Sequence, residues 1–150
     1  MINELTQPAP TSLILRRTFD APCERVFDAW LSPDVLRVIV SGDKNKVLDV
    51  AVDPRVGGSY RITWDTKDGV WAVGGIYKEI VKNQRIVFTW TFEEDDPSEV
   101  HETLITLEFH PRGNKTELVL THTNLRDQTS RDNHAEGWGE AFDKLAKQVE

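Results

Sequence analysis

Among the four histidines of this 150-residue chain, His122 alone falls in register with an apolar strand face, after Leu118 and Leu120. An imidazole placed there can hydrogen-bond a bound molecule or exchange a proton near neutral pH. It can equally be a core group paired with its surroundings, as most buried polar groups are. His101, His110 and His134 fall at the ends of expected strands or helices, and no spacing groups them. A zinc site needs three or four converging ligands. With one cysteine and no His-x-x-His or Cys-x-x-Cys pair, neither a metal nor a cofactor is expected. That cysteine, Cys23, lies on the apolar face of an expected helix, where inert packing is the natural role. There is no Gly-x-Ser-x-Gly elbow and no glycine-rich phosphate-binding motif, so no residue is assigned a catalytic role. The acidic run Glu93 to Asp96 lacks the glycine-containing loop of a calcium site and reads as a solvated hairpin tip.

The remaining chemistry is aromatic. Five tryptophans, six phenylalanines and two tyrosines occur in the chain. Each tryptophan brings a large apolar surface and one N–H that needs an acceptor when buried. A pocket with such walls and a few polar groups suits an apolar or aromatic small molecule. The same residues could simply fill a core. The expected lining is Trp64, Trp71, Tyr77, Phe88, Trp90, Leu107, Phe109, Leu120, His122, Trp138 and Phe142. Arg61 would serve a ligand carboxylate if it pointed inward, but the alternation of Tyr60, Ile62 and Trp64 places it outside.

The elements that must position these residues follow from hydrophobic periodicity. Residues 1–11 carry Pro8 and Pro10 and few large apolar groups, and read as a loose arm. Leu13 to Phe19 alternates as a first strand. Asp20-Ala-Pro22 opens a helix whose Cys23, Val26, Phe27 and Trp30 share one face. Ser32-Pro33-Asp34 starts a second, short helix to Val40. A polar loop, residues 41–46, precedes strands at Val47 to Val52, Ser59 to Asp65 and Val70 to Ile80. The turn at Lys67-Asp-Gly69 is a hairpin signal. The Gly74-Gly75 pair predicts a bulge, a bend or a close backbone approach. Further strands run from Arg85 to Phe92, His101 to His110 and Thr116 to Thr123. The chain closes on a helix from Asn133 to Glu150, with Asn133 and Glu136 as a capping box and an alternative start as early as Thr129. Ala135, Trp138, Phe142, Leu145 and Val149 form its apolar stripe. Seven strands joined by short turns, then one long helix, predict an α+β fold: a bent antiparallel sheet wrapped around the C-terminal helix, with two short helices between strands one and two.

Bulk properties narrow the function classes. Eighteen basic against 25 acidic residues leave a net charge of −7, which disfavours nucleic acid and anionic lipid surfaces as partners. A single cysteine excludes an internal disulfide and suits a reducing cytoplasm. The N-terminus lacks the charge and apolar core of a signal peptide, and no apolar run approaches a membrane span. The length suits one domain, taken as residues 12–150. Sheet edges could pair two copies, so monomer and homodimer both remain open.

Several strings resemble the START-like, helix-grip (SRPBCC) superfamily. They are closest to its branch of homologues of the heat-shock-protein-90 ATPase activator. The strings are Phe19-Asp-Ala-Pro22 with Val26-Phe27-Asp-Ala-Trp30; Gly57-Gly-Ser-Tyr60; Gly75-Ile-Tyr77 leading to Ile86-Val-Phe-Thr-Trp90; Leu118-Val-Leu-Thr-His122; and Gly137-Trp138. Their order runs over nearly the whole chain. One departure is at Ile39 and Val40, where members often carry tryptophan. The resemblance implies the helix-grip fold with a cavity between sheet and C-terminal helix, and no shared catalytic residue or cofactor. It implies a carrier or sensor of a small hydrophobic molecule (lipid, polyketide or aromatic), with a chaperone-stimulating interaction module as alternative. A cyclase or hydrolase using His122 comes third.

Overall fold

The computed structural model describes residues 2–42 and 45–150. Of the expected polar loop, Asp43 and Lys44 lie outside the described residues. Strands β1 (Glu4–Ala9) and β2 (Ser12–Phe19) come first, then helices α1 (Cys23–Trp30) and α2 (Pro33–Ile39). Strands β3 (Lys46–Val52), β4 (Ser59–Thr66), β5 (Gly69–Val81), β6 (Arg85–Phe92), β7 (Thr103–Arg112) and β8 (Lys115–Thr123) follow, and α3 (Gln128–Val149) ends the chain. The strands form one sheet in the order β1-β2-β8-β7-β6-β5-β4-β3. Every neighbouring pair is antiparallel. The expected architecture is present: a bent antiparallel sheet holds a long C-terminal helix, and the two short helices carry the chain from β2 to the far edge strand β3.

Two expectations need correction. The predicted loose arm contains an eighth strand: Glu4, Leu5 and Thr6 pair with Arg16, Leu15 and Ile14. Its side chains are largely exposed, so no apolar alternation announces it. Backbone pairing and polar ties to α3 hold it, including Gln7 Nε2 to Asp132 and Asn3 Nδ2 to the Gly139 carbonyl. Pro8 is tolerated because β1 is an edge strand. The second correction concerns the start of α3. Asn133 and Glu136 lie inside the helix, and Asp127 is the N-cap, its carboxylate accepting from Ser130 N–H at 2.8 Å. A capping aspartate outside the apolar stripe escapes a periodicity argument.

The core lies between sheet and helices. Leu13, Leu15 and Phe19 of β2, Ile105, Leu107 and Phe109 of β7, and Leu118 and Leu120 of β8 are all buried. They meet Phe142, Leu145 and Val149 from the second half of α3. Phe19 packs edge-on against Phe142, and Phe27 of α1 against Phe109. Ser32 caps α2 as expected, accepting from Val35 N–H.

Gly75 marks a close approach. A Cβ there would sit 1.9 Å from the Thr89 carbonyl oxygen. The bare backbone lets the Tyr60 hydroxyl cross and donate to that same oxygen, while Thr89 Oγ1 accepts from Ile76 N–H. β4, β5 and β6 are thereby drawn together at the bend. Gly58 is a second such position, since a Cβ would lie 2.2 Å from the Asp53 carbonyl oxygen.

Candidate functional site

A cavity of about 640 Å³ lies between the sheet and the first half of α3. Its walls draw on four strands and two helices. Trp64 (β4), Trp71 (β5), Trp90 and Phe92 (β6) and Thr103 (β7) face His134, Gly137 and Trp138 (α3), while Ile39 and Val40 close the side toward α2. The volume is that of a small-molecule site, and the walls are mostly apolar. A second space of about 20 Å³ shares Val40, Trp90 and Trp138 with it and is otherwise walled by residues including Trp30, Tyr60, Tyr77 and Phe88.

The eleven residues expected to line a cavity divide accordingly. Trp64, Trp71, Trp90 and Trp138 line the large cavity; Tyr77 and Phe88 border the small space. Leu107, Phe109, Leu120 and Phe142 pack in the core instead. His122 is fully buried and borders neither space, although it holds two residues that do. Leu107, Phe109, Leu120 and His122 face the right side of the sheet, but α3 packs directly onto them, with Phe142 filling the core from its second half and Trp138 bonding His122. Trp71 is 48% exposed and stands at the mouth. Arg61 points outward, as expected, and makes a bidentate pair with Glu93 at 2.6 and 2.9 Å. Arg17 is the inward arginine of β2, and it bonds Asp143 of α3 at 2.8 Å rather than facing the cavity.

The tryptophan N–H groups organise the back wall. Trp138 Nε1 donates to His122 Nδ1 at 3.1 Å, and His122 Nε2 lies 2.7 Å from Thr103 Oγ1. Thr103 has one proton, which it gives to the Trp90 carbonyl at 2.6 Å. Its oxygen must therefore accept from His122, which makes His122 the Nε2–H tautomer. Trp90 Nε1 donates to His134 Nε2 at 3.2 Å, and His134 Nδ1 lies 2.7 Å from the Ser130 carbonyl. A carbonyl only accepts, so His134 is the Nδ1–H tautomer. The two imidazoles stand edge to face with centroids 4.9 Å apart.

Both rings are held neutral. Protonation of either would aim two N–H donors at each other. Burial lowers the His122 pKa well below its ordinary value, with His134 adding to the effect. Burial also lowers that of His134, against the opposing bond to Ser130. Trp64 Nε1 donates to the Val40 carbonyl at 3.0 Å, tying β4 to the end of α2. Burial pushes the Tyr77 phenol up to about 12 and raises that of Tyr60 as well. Among the described residues, no group of three or more His, Cys, Asp or Glu gathers to hold a metal ion. Among the described residues, no helix is long and apolar enough to cross a membrane.

His134, Thr103, Phe92 and Gly137 are site residues that the expected lining lacks. The signal for His134 was its spacing: it precedes Trp138 by one helical turn and Ala141 by two, on the cavity-facing side of α3. Thr103 carries no such signal, because a hydroxyl is not distinctive in a strand. Gly137 sits mid-helix with open space where its Cβ would be, so the cavity has room at this turn.

A family model, the Activator of Hsp90 ATPase homolog 1-like protein, matches residues 20–150. No curated protein matches the chain. Among solved structures, a Chromobacterium violaceum protein is 30% identical with a TM-score of 0.82, over 94% of this chain and 98% of its own. A Silicibacter pomeroyi protein, named there as AHSA1, is 27% identical with a TM-score of 0.77, over 91% and 96%. A Mycobacterium smegmatis protein shares the fold at 15% identity, with a TM-score of 0.83 over 100% and 98%. The matched span takes in α1, the sheet from β3 to β8 and the whole of α3, and on that evidence the chain belongs to the Activator of Hsp90 ATPase homolog 1-like family of the START-like, helix-grip superfamily.

Proposed function

We propose that this protein is a carrier or sensor of a small hydrophobic molecule, held between the sheet and the first half of α3. The observation that carries this reading is the cavity of about 640 Å³ with four tryptophans in its wall. Apolar burial supplies the driving force, about 25 cal/mol per Å² removed from water. The glycine at position 137 supports it, because glycine inside a helix costs about 1 kcal/mol relative to alanine. Here that cost goes with open volume. Binding is favoured over turnover by the two histidines: each has both ring nitrogens engaged, which leaves no free lone pair for a substrate proton.

Native mass spectrometry of the freshly purified protein, set against the denatured sample, tests the reading. A small extra mass is expected to survive gentle ionisation and vanish on denaturation. Gly137→Leu should abolish it while the protein still unfolds cooperatively. No extra mass, together with no uptake from a panel of fatty acids, flavonoids and polyketides, would overturn the carrier. The family's description would then favour an interaction module, tested by whether the protein raises the ATPase rate of a purified Hsp90-type chaperone.

A further inference from the structure

We infer that the cavity selects a hydrophobic cation, an organic ammonium on an aromatic or aliphatic body, over a carboxylate or phosphate of the same size. The inference rests on the carrier reading above and adds the sign of the ligand's charge. It comes from an imbalance at the cavity wall. Three carboxylates, Glu94, Asp127 and Glu140, border the cavity together with one guanidinium, Arg126. That guanidinium is occupied: Arg126 Nη2 donates to the Glu99 carbonyl, and Nη1 lies 3.9 Å from the Glu99 carboxylate. The ammonium of Lys144 also reaches this rim, but it donates to the Ser41 carbonyl. Glu94 and Glu140 are exposed and have no hydrogen bond or ion pair among the described residues.

The features that usually attract an anion are spent. The N-terminus of α3 borders the cavity, yet the Asp127 carboxylate already accepts from its Ser130 N–H. His134 donates one nitrogen to Ser130 and accepts with the other from Trp90, so it offers a ligand neither a proton nor a charge. An anion entering this space would lose its hydration and find the nearest cations, Arg126 and Lys144, already engaged with Glu99 and with the Ser41 carbonyl.

A cation meets a different environment. The rings of Trp64, Trp71 and Trp90 each adjoin Phe92, with Trp90 at 6.0 Å and 88° and Trp64 and Trp71 at 6.4 Å. Trp138 packs against Trp90 in the back wall, with centroids 4.9 Å apart. An ammonium within about 6 Å of such rings is attracted by their π faces, tryptophan most strongly. The two free carboxylates at the rim add a field of the same preference.

The test is calorimetric titration of the full chain with three probes of matched size: (2-naphthylmethyl)trimethylammonium, 2-naphthylacetate and 2-naphthylethanol. The ammonium is expected to bind at least about tenfold more tightly than the carboxylate at low salt, with a gap that narrows as salt rises. In the Glu94→Gln/Glu140→Gln variant that gap should narrow at low salt too. A carboxylate that binds as tightly as the ammonium, or a gap unchanged in the variant, overturns the inference. If the alcohol binds and the ammonium has no advantage over it, the charge selection fails and the carrier stands. If none of the three binds, the charge selection falls, and the carrier stands or falls on the native mass spectrum and the ligand panel.

Discussion

Trp138 on α3 donates its indole N–H to Nδ1 of His122 on β8, at 3.1 Å, inside a wall where both residues are buried. This single bond joins the helix to the middle of the sheet. It also fixes which nitrogen of His122 carries the proton, and through Thr103 it reaches the backbone of Trp90. Trp138→Phe would keep most of the packing and remove the donor, leaving a buried acceptor unpaired. The expected cost is about 1–3 kcal/mol in denaturant unfolding. Trp71→Phe, at the exposed mouth, should stay within about 0.5 kcal/mol of the parent.

The two histidines predict opposite tautomers. In 15N spectra of labelled imidazoles, His122 should report a protonated Nε2 and His134 a protonated Nδ1 at pH 7. A shared tautomer would contradict the hydrogen-bond chain described above.

The same pair sets an acid limit to stability. Both pKa values are lowered in the folded protein, so between the ordinary value of 6.5 and the folded values the unfolded chain holds more protons. Stability is therefore full above about pH 6.5 and falls as pH drops below it, by up to about 1.4 kcal/mol per pH unit for each histidine. Denaturant unfolding between pH 8 and pH 5 should show a plateau and then a decline. Replacing His134 with glutamine should make the decline shallower. Glu93 and Asp96, whose pKa values are lowered from 4.5 and 3.8 by Arg61 and by Ser98, contribute only at more acidic pH.

Two glycines should respond oppositely to alanine. At Gly75 the added Cβ would overlap the Thr89 carbonyl, 1.9 Å away, where the backbone has no freedom to yield. A loss of about 3 kcal/mol or a failure to fold is expected. At Gly137 the Cβ meets open space, and the helix should gain about 1 kcal/mol. Thermal unfolding of the two variants separates a packing glycine from a cavity glycine.

The N-terminal strand offers a check on the edge of the sheet. Removing residues 2–9 takes away the β1 ladder and the bonds from Gln7 to Asp132 and from Arg131 to the Ala9 carbonyl. The first turns of α3 should then exchange amide protons faster than its C-terminal half, which is anchored by Phe142 and Leu145.

Periodicity carried the architecture a long way. The alternation of Tyr60, Ile62 and Trp64 placed Arg61 outside, where it pairs with Glu93. The stripe of α3 and the capping signal of α2 were equally legible, because each depends on local spacing and local bonds. β1 was not, since an edge strand with exposed side chains is held by backbone pairing that no apolar pattern records. The division of the aromatic set was also hidden. Sequence placed Trp90, Leu107, Phe109, Leu120 and His122 on one side of one sheet, and period-two alternation cannot say more. What lies in front of each depends on where α3 crosses the sheet: its second half fills the space before Leu107, Phe109 and Leu120, while its first half touches Trp90 through His134 and Trp138 and leaves open room at Gly137. The pairing of His134 with Trp90, and of His122 with Trp138, likewise joins residues 44 and 16 positions apart. Such bonds exist only once helix and sheet are docked. The amino-acid sequence by itself determined which faces are apolar and which elements form. The tertiary structure decided which of those apolar faces meet protein and which meet open space, because that depends on the relative placement of elements whose separation is set by the side chains of both.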